Sequence, residues 1–405
     1  NFGDIFADHE TLYQPPGEAP LISHYNNQYD AIYGFARQFA LTGDRRWFEL
    51  MDDLAKHVTD IDIYHTNEDR SEYNNGLFWH TDHYLPAHTA THRTFSRHND
   101  TSSTPGQTGG GPGAEHCYTT GLLYHYLLTG NRNSRESVLE LARWMVNLHE
   151  GGRGLLAQLM AMKRHEAPKV KALIMGQKPS RHRYPFTRAT GNYINTLLDA
   201  AILEPNRNWL TKAERVILET IHPNDAIEGR NLLAVEMSWS YVILLTAIAR
   251  YLHLKKQWGV SDPIYRYAHQ SFLHYTDWMR DHERPFLIEP EQLEYPNDTW
   301  TAQDVRKATL MFIAAGLGSP EPSRLGKKAA DRWLSECCDK LAVSPEKRNA
   351  RIQIVLTQNY GPQHMRVTDE PVMAKRIPSD DTIFVNPVLT LSLIHISEPT
   401  RRTPI

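Results

Sequence analysis

Residues 76–99 read GLFWHTDHYLPAHTATHRTFSRHN and gather five histidines (His80, His83, His88, His92, His98) with Trp79, Tyr84 and Arg93. Side chains of these types support three chemistries. His80 with His83, or His88 with His92, are spaced for shared metal ligation, although no HExxH or Cys/His signature accompanies them. A neutral His or an activated Tyr can remove the proton next to a carboxylate, the step that begins β-elimination of a uronic-acid polysaccharide. Arg, His or Asn can stabilise the charge that then develops. Hydrolysis instead needs two carboxylates, an acid and a base or nucleophile. Asp30, Asp82, Glu115, Glu236 and Asp304 are the candidates for that pair.

The residue types favour elimination, because His, Tyr, Arg and Asn outnumber carboxylates in this stretch. Catalytic roles are expected of His116, Glu115, His80, His83, Tyr84, His88 and His92, with Tyr118 a further candidate. Substrate contacts are expected of Asn27, Asp30, Trp79, Arg93, Asn192, Tyr193, Glu236, Trp239, Trp300 and Gln303. Placed at the start of a helix, Glu115 would be held ionised and His116 neutral, and a neutral imidazole suits a base. Each candidate also has a plainer role. A carboxylate at a helix start complements the helix dipole, a loop histidine orders backbone, and a rim tryptophan packs between helices. No cofactor is expected, and a metal on the histidine-rich stretch is the less favoured reading.

The elements that must position these residues are helical hairpins. FALTGDRRWFELMDDLAKHV begins at Phe39 and YLLTGNRNSRESVLELARWMV at Tyr126. Both pass from an apolar stretch through Leu-Thr-Gly-Asp/Asn-Arg into an amphipathic run. Tyr29, Ile32, Phe35, Ala36, Phe39 and Ala40 keep helical spacing, as do Leu50, Met51, Leu54, Ala55 and Val58. Gly43 suits a helix C-terminus and Asp44 the cap of the next helix. The grammar recurs less literally. A helix at 191–203 is stopped by Pro205, and Thr211 opens its partner with Glu214 as a capping-box residue. Helices at 236–254 and 262–279 follow, then 299–317 and 323–341, with a further one near 348–359. In TWTAQDVRKA, Trp300, Gln303 and Lys307 are expected on one helix face and Asp304 with Arg306 on another.

Five such hairpins with hardly any strand pattern predict an all-α protein. Two arrays fit, an open solenoid and a closed toroid. The first helices start with NNQYD, AEHCYTT, TRATGNY, VEMSWSY and TWTAQDVRK. Polar and aromatic starts on apolar helices suit an inner ring whose helix starts surround a central depression. Residues 65–113 form a long insertion between the first two hairpins. It ends in TSSTPGQTGGGPG and is expected to lie over the mouth of the toroid.

At the level of these motifs the chain resembles the (α/α) toroid carbohydrate-active enzymes, which include six-hairpin glycosidases and toroidal polysaccharide lyases. NNQYDAIYGFARQFALTGDRRWFELMDDLAKH and AEHCYTTGLLYHYLLTGNR look most like the central domain of exo-rhamnogalacturonan-lyase-like proteins. The resemblance covers roughly residues 26–341. It implies a toroid of about five to six hairpins, cleavage of a polysaccharide, and a periplasmic or extracellular setting. It assigns no catalytic residue to a position. The alternatives are a glycoside hydrolase with a carboxylate pair, and a non-catalytic helical-repeat scaffold or glycan-binding protein.

Composition narrows the partners. The chain has 405 residues, 40% hydrophobic and 22% charged, with a net charge of −3. No basic run suggests a nucleic-acid surface, and no window reaches the roughly 18 apolar residues of a membrane span. Three cysteines, two of them adjacent, give no disulfide framework. An oligo- or polysaccharide is the expected partner.

Both ends look like those of a truncated reading frame. The chain begins at Asn1, and residues 391–401 resemble a translated sequencing-library adapter. The expected division is a toroid over 1–360, an irregular segment over 361–390 and an adapter-derived tail over 391–405. Deleting 391–405 should leave the urea-unfolding free energy within a few tenths of a kcal/mol, as for surface changes generally. A loss of several kcal/mol would make the tail a genuine structural element.

Overall fold

The two LTG turns end their helices as a glycine allows. Gly43 and Gly130 take φ values of 68° and 71°, and their N–H groups donate to Phe39 O at 2.8 Å and Tyr126 O at 2.7 Å. Asp44 then accepts from Arg46 N at 2.9 Å, and Asn131 from Asn133 N at 2.9 Å. These pairs cap the next helices and fold the chain back. In the computed structural model the first hairpin is α1 (Ala31–Thr42) with α2 (Arg45–His57), and the second is α3 (Thr120–Thr129) with α4 (Arg132–Glu150). Then come α5 (Arg188–Leu203), α6 (Trp209–Leu218), α7 (Tyr241–Gln257), α8 (Pro263–His282), α9 (Thr299–Ala315), α10 (Pro320–Ala342) and α11 (Ala350–Gln358).

The structure describes residues 7–10, 21–24, 27–68, 73–79, 111–151, 159, 170–171, 173–174, 182–293, 296–318, 320–346 and 349–364. The chain divides into units Asn1–Val372 and Met373–Ile405, and all described residues belong to the first. The segment at 391–405 therefore lies outside the described residues.

The described part is predominantly helical, as the periodicity predicts, with two short antiparallel ribbons beside the helices. β1 (Ala7–Glu10) pairs with β2 (Leu21–His24), from Ala7↔His24 to Glu10↔Leu21. β3 (Phe78–Trp79) pairs with β4 (Gly111–Pro112), as Phe78↔Pro112 and Trp79↔Gly111. The second ribbon lies within the long insertion and pairs its outgoing and returning segments at the neck.

The odd-numbered helices pack in sequence, α1 on α3, α3 on α5, α5 on α7, α7 on α9 and α9 on α11. The last then packs on α1. Each even-numbered helix packs on the odd one before it. The return contact is polar as well as steric. Gln358 Nε2 donates to Tyr29 O and Asp30 O, and Arg37 donates to Gln358 O and Tyr360 O. A Cβ on Gly34 would lie 2.5 Å from Thr357 Oγ1, so α1 and α11 approach where no side chain intervenes.

Burial follows this order. In α9 every residue from Thr301 to Phe312 is buried. A helix enclosed on all sides must satisfy its polar groups internally, because water cannot. Lys307 Nζ meets Glu283 Oε2 at 2.5 Å and Asp304 Oδ1 at 3.0 Å. Arg306 Nε donates to Gln303 Oε1 at 2.8 Å. The helix is continuous from Thr299 to Ala315, and within it the polar groups pair three residues apart, Gln303 with Arg306 and Asp304 with Lys307.

Two further expectations change. The capping box at Thr211 does not form: α6 begins at Trp209, and Glu214 is buried, accepting from Tyr251 Oη at 3.0 Å and Lys255 Nζ at 2.7 Å. A buried cation outcompetes a local cap for that carboxylate. The helix expected from 236 is broken. Val235–Ser238 is a separate turn, and α7 starts at Tyr241.

The junction of α1 and α3 is tight. A Cβ on Gly121 would lie 2.3 Å from Asp30 Oδ1 and 2.6 Å from Tyr33 N. Gly121→Ala should therefore destabilise the protein by about 1–3 kcal/mol, the usual cost of overpacking. Urea unfolding measures this, and an unchanged midpoint would refute the close approach.

Candidate functional site

The odd-numbered helices enclose a cavity of about 990 Å³. Its wall changes character along the helices. Tyr29, Asp30, Tyr118 and Asn192 come from helix starts, with Arg306 from the middle of α9 and Gln358 from the end of α11. The last turns of α1, α3 and α7 supply Leu41, Leu127, Leu128 and Leu254, with Trp258 beyond α7. The first group can recognise polar ligands; the second offers apolar surface.

Arg306 is the unusual member. It is buried, and its guanidinium donates to Gln303 Oε1 at 2.8 Å and Gln358 Oε1 at 3.3 Å. It lies 5.9 Å from the Tyr29 ring centroid. Burial pulls its pKa below the usual arginine value, and the Tyr29 and Tyr118 phenols act the other way. Among the described residues no carboxylate pairs with it. Arg250, on the same wall, contrasts with it. Its guanidinium pairs with Asp199, and Asp199 also accepts from Thr119 Oγ1 at 2.6 Å and Thr120 Oγ1 at 3.0 Å.

Tyr118 stands near Arg306 and belongs to the segment that leads into α3. Its Oη lies 3.5 Å from His116 Nδ1, and the two rings meet edge to face at 6.0 Å. His116 is buried on the 3₁₀ turn Ala114–His116. Asn192 fixes that turn by donating from Nδ2 to Ala114 O at 3.1 Å and Glu115 O at 2.8 Å. Glu115 then points outward, and its half-exposed carboxylate pairs with Arg188 at 2.6 Å. Residues 117–119 separate the turn from α3, so Glu115 and His116 are not in the first turn of a helix. The dipole of α3 therefore does not act on them as expected, because its field falls off beyond the terminal turn.

Asn27 and Asp30 form a clasp at the start of α1. Asn27 Oδ1 accepts from Ile32 N at 3.1 Å. Asp30 accepts from Tyr33 N at 3.3 Å, from Gly121 N at 2.9 Å and from Asn27 Nδ2 at 3.5 Å. Burial nonetheless pushes the Asp30 carboxyl up to about 6, aided by the negative charge of Asp199. Both residues thus have structural work, and of the two Asp30 lines the cavity.

The remaining candidates divide. Glu115, Arg188, Trp239 and Trp300 form a connected chain: Arg188 lies 5.5 Å over the Trp239 ring, which meets Trp300 edge to face at 5.6 Å. Trp300 also packs on Phe286. Glu236 is exposed on the turn before Trp239. Tyr193 is a core residue, fully buried and stacked on His149 at 4.4 Å. Burial holds its phenol well above the usual range. Gln303 contacts the site through Arg306. Only the backbone of Trp79 is described, in β3, while His80, Asp82, His83, Tyr84, His88, His92 and Arg93 lie outside the described residues. Among the described residues no three His, Cys, Asp or Glu side chains form a metal-binding group. Cys117 borders the cavity, but burial pushes its thiol up to about 12 and keeps it protonated.

Sequence reasoning did not single out Arg306, Arg250, Asp199 or Gln358 as site residues. A signal for Arg306 was present: a glutamine and an arginine three apart in a helix with little exposed face. Set against known proteins, the chain matches no family model, no curated protein and no solved structure.

The raised pKa of Asp30 makes a signed prediction. Its folded value of about 6 exceeds the ordinary 3.8, so the folded state favours the neutral carboxyl. That contribution is complete below the unfolded pKa and is lost as pH rises through the folded one. Between about pH 4 and 6, wild type should lose on the order of 3 kcal/mol relative to Asp30→Asn. Parallel urea titrations test this; parallel pH profiles for the two proteins would refute it.

Proposed function

We propose that this chain is an (α/α) toroid polysaccharide lyase that cleaves an acidic glycan by β-elimination, in the periplasm or outside the cell. The return of α11 onto α1 supports the ring arrangement. The observation that carries the chemistry is Arg306, a buried cation on the cavity wall with no carboxylate partner among the described residues. A buried charge without a counterion is costly. A uronate carboxylate would supply the missing charge, and its neutralisation would acidify the adjacent C–H.

Tyr118 borders the same cavity and is the candidate proton carrier. As phenolate it takes the proton next to the carboxylate. The electron pair forms the carbon–carbon double bond, the β carbon–oxygen bond breaks, and the leaving oxygen takes the proton back from the Tyr118 phenol. His116, behind the phenol, is placed to hold that group and exchange its proton. Asn192 positions the turn that carries His116. Asp30 is the one carboxylate-bearing residue of the described cavity wall, and its oxygens are engaged in the helix clasp. That favours elimination over hydrolysis by a carboxylate pair.

A screen on pectic, glucuronan and neutral glycans tests this, reading ultraviolet-absorbing unsaturated ends alongside reducing ends. Unsaturated ends should appear from acidic glycans only. Tyr118→Phe should lower that rate by roughly 10²–10⁴-fold, the usual scale of lost general acid–base catalysis. His116→Ala should also slow it and move its pH profile, with both variants folded by circular dichroism. Reducing ends without unsaturation, undiminished in Tyr118→Phe, would assign hydrolysis instead.

A further inference from the structure

We infer that the cavity contains a second anionic subsite, at Arg37, so that its ligand carries two carboxylates. The inference rests on the reading of Arg306 as a carboxylate site and specifies the substrate class further: a ligand with successive acidic units.

Arg37 projects from α1 and lines the same cavity as Arg306. Its guanidinium lies 5.6 Å from the Tyr33 ring centroid and donates to the carbonyl oxygens of Gln358 and Tyr360. Among the described residues it has no carboxylate partner. Arg306 donates to the side-chain oxygen of the same Gln358 at 3.3 Å. One glutamine therefore joins two guanidiniums, one through its backbone and one through its amide. The two hydrogen bonds set both cations beside the same residue.

Two positive charges this close on a partly enclosed wall repel, and low local polarity strengthens that repulsion. The carboxyl-terminal end of α11 offsets part of it, because a helix C-terminus carries about half a negative charge. Two full charges exceed that half. Asp30 is engaged by Gly121, Tyr33 and Asn27, and Asp199 by Arg250 and two threonines. Arg250 shows how an arginine of this wall is neutralised from within the fold, by the buried carboxylate of Asp199. Arg37 and Arg306 are left for anions from outside. Each guanidinium has five N–H donors, and the protein bonds at Arg37 and Arg306 use only some of them. Beside Arg306, Gln303 Nε2 is buried and has no hydrogen-bond partner among the described residues.

The test uses the full chain with sugar-free and sugar probes. Acetate and galacturonate carry one carboxylate; malonate, succinate, adipate, suberate and digalacturonate carry two. Isothermal titration should show one dicarboxylate length, and digalacturonate, binding about tenfold or more tighter than the monoanions, as one added charge-assisted bonded pair implies. Arg37→Gln should reduce dianions to the monoanion level while leaving galacturonate binding intact. Arg306→Gln should weaken both classes. Should Arg37→Gln unfold, Arg37→Lys keeps the charge and must retain a dianion preference. Equal affinity for mono- and dianions, or a folded Arg37→Gln protein that keeps the preference, overturns the inference. In that case unsaturated products from acidic glycans would leave the lyase reading standing. A length-dependent dicarboxylate preference lost in Arg37→Gln, with no uronate bound, upholds the two-cation site and overturns the glycan reading.

Discussion

The carboxyl of Asp30 caps α1 and accepts from the backbone of α3, and the junction of α1, α3 and α11 is built around that shared group. To place it there, the chain enters α1 with Tyr29 and Asp30 both left-handed, at φ 55° and 62°. Non-glycine residues adopt that conformation at a cost of about 1–3 kcal/mol each. The turn presents two carbonyl oxygens to one side, and Gln358 Nε2 donates to both. The junction therefore joins three helices: α3 through the carboxyl, α11 through the carbonyls, and α1 itself. The same turn places the Tyr29 ring beside Arg306. The contact of α11 with α1 and the setting of Tyr29 beside Arg306 thus share one local geometry.

Buried ionisable groups elsewhere are settled by internal pairing. Lys307 meets Glu283 and Asp304, and Tyr241 Oη donates to Glu283 Oε1 at 2.5 Å. Lys255 bridges Glu214 and Asp262. Asp225 accepts from Arg230 at 2.7 Å and Tyr275 at 2.7 Å, and lies 3.0 Å from His182. Desolvation of Asp225 is outweighed by these partners, which hold its carboxyl well below the usual range. Pairs of this kind offset their own desolvation and contribute little net stability. Their value is geometric, since breaking one partner leaves a buried charge. Against that pattern Arg306 and Arg37 stand out, because their protein partners are amide and carbonyl oxygens.

Local grammar was legible wherever the local chain decides the outcome. Gly43 and Gly130 ended their helices, Asp44 and Asn131 capped the next ones, and the apolar spacing of α1 and α2 found the core face. What stayed hidden was settled by residues distant in sequence. Glu214 looked like a cap three residues after Thr211, but Lys255 lies across the packing and claims it. In α9, spacing set the faces, but part of the pairing of Lys307 and Arg306 came from Glu283 and Gln358 in neighbouring segments. Glu115 and His116 were read as a helix start, yet the chain needs three more residues before α3 begins. Tyr118, a secondary candidate in the sequence, gains its place because it lies within those three. Arg306 carried no motif, and its interest comes from the absence of an acid among its described neighbours.

The neck of the insertion connects these observations. Pairing of Phe78 with Pro112 brings the chain back two residues before Ala114. His65 holds the other side, with Nε2 2.8 Å from Thr59 O and Nδ1 3.0 Å from Glu140 Oε2. Asn192 then grips Ala114 and Glu115 through their carbonyls, so the returning strand is anchored to α5 before it reaches the cavity. His116 and Tyr118 follow that anchor directly and inherit its position. A side chain on a long excursion would ordinarily be placed loosely, which suits recognition poorly. Here both ends of the excursion are tied to helices, and the residue that borders Arg306 follows the tie rather than the excursion itself. A substitution at Asn192 would thus act on Tyr118 through the backbone of the turn.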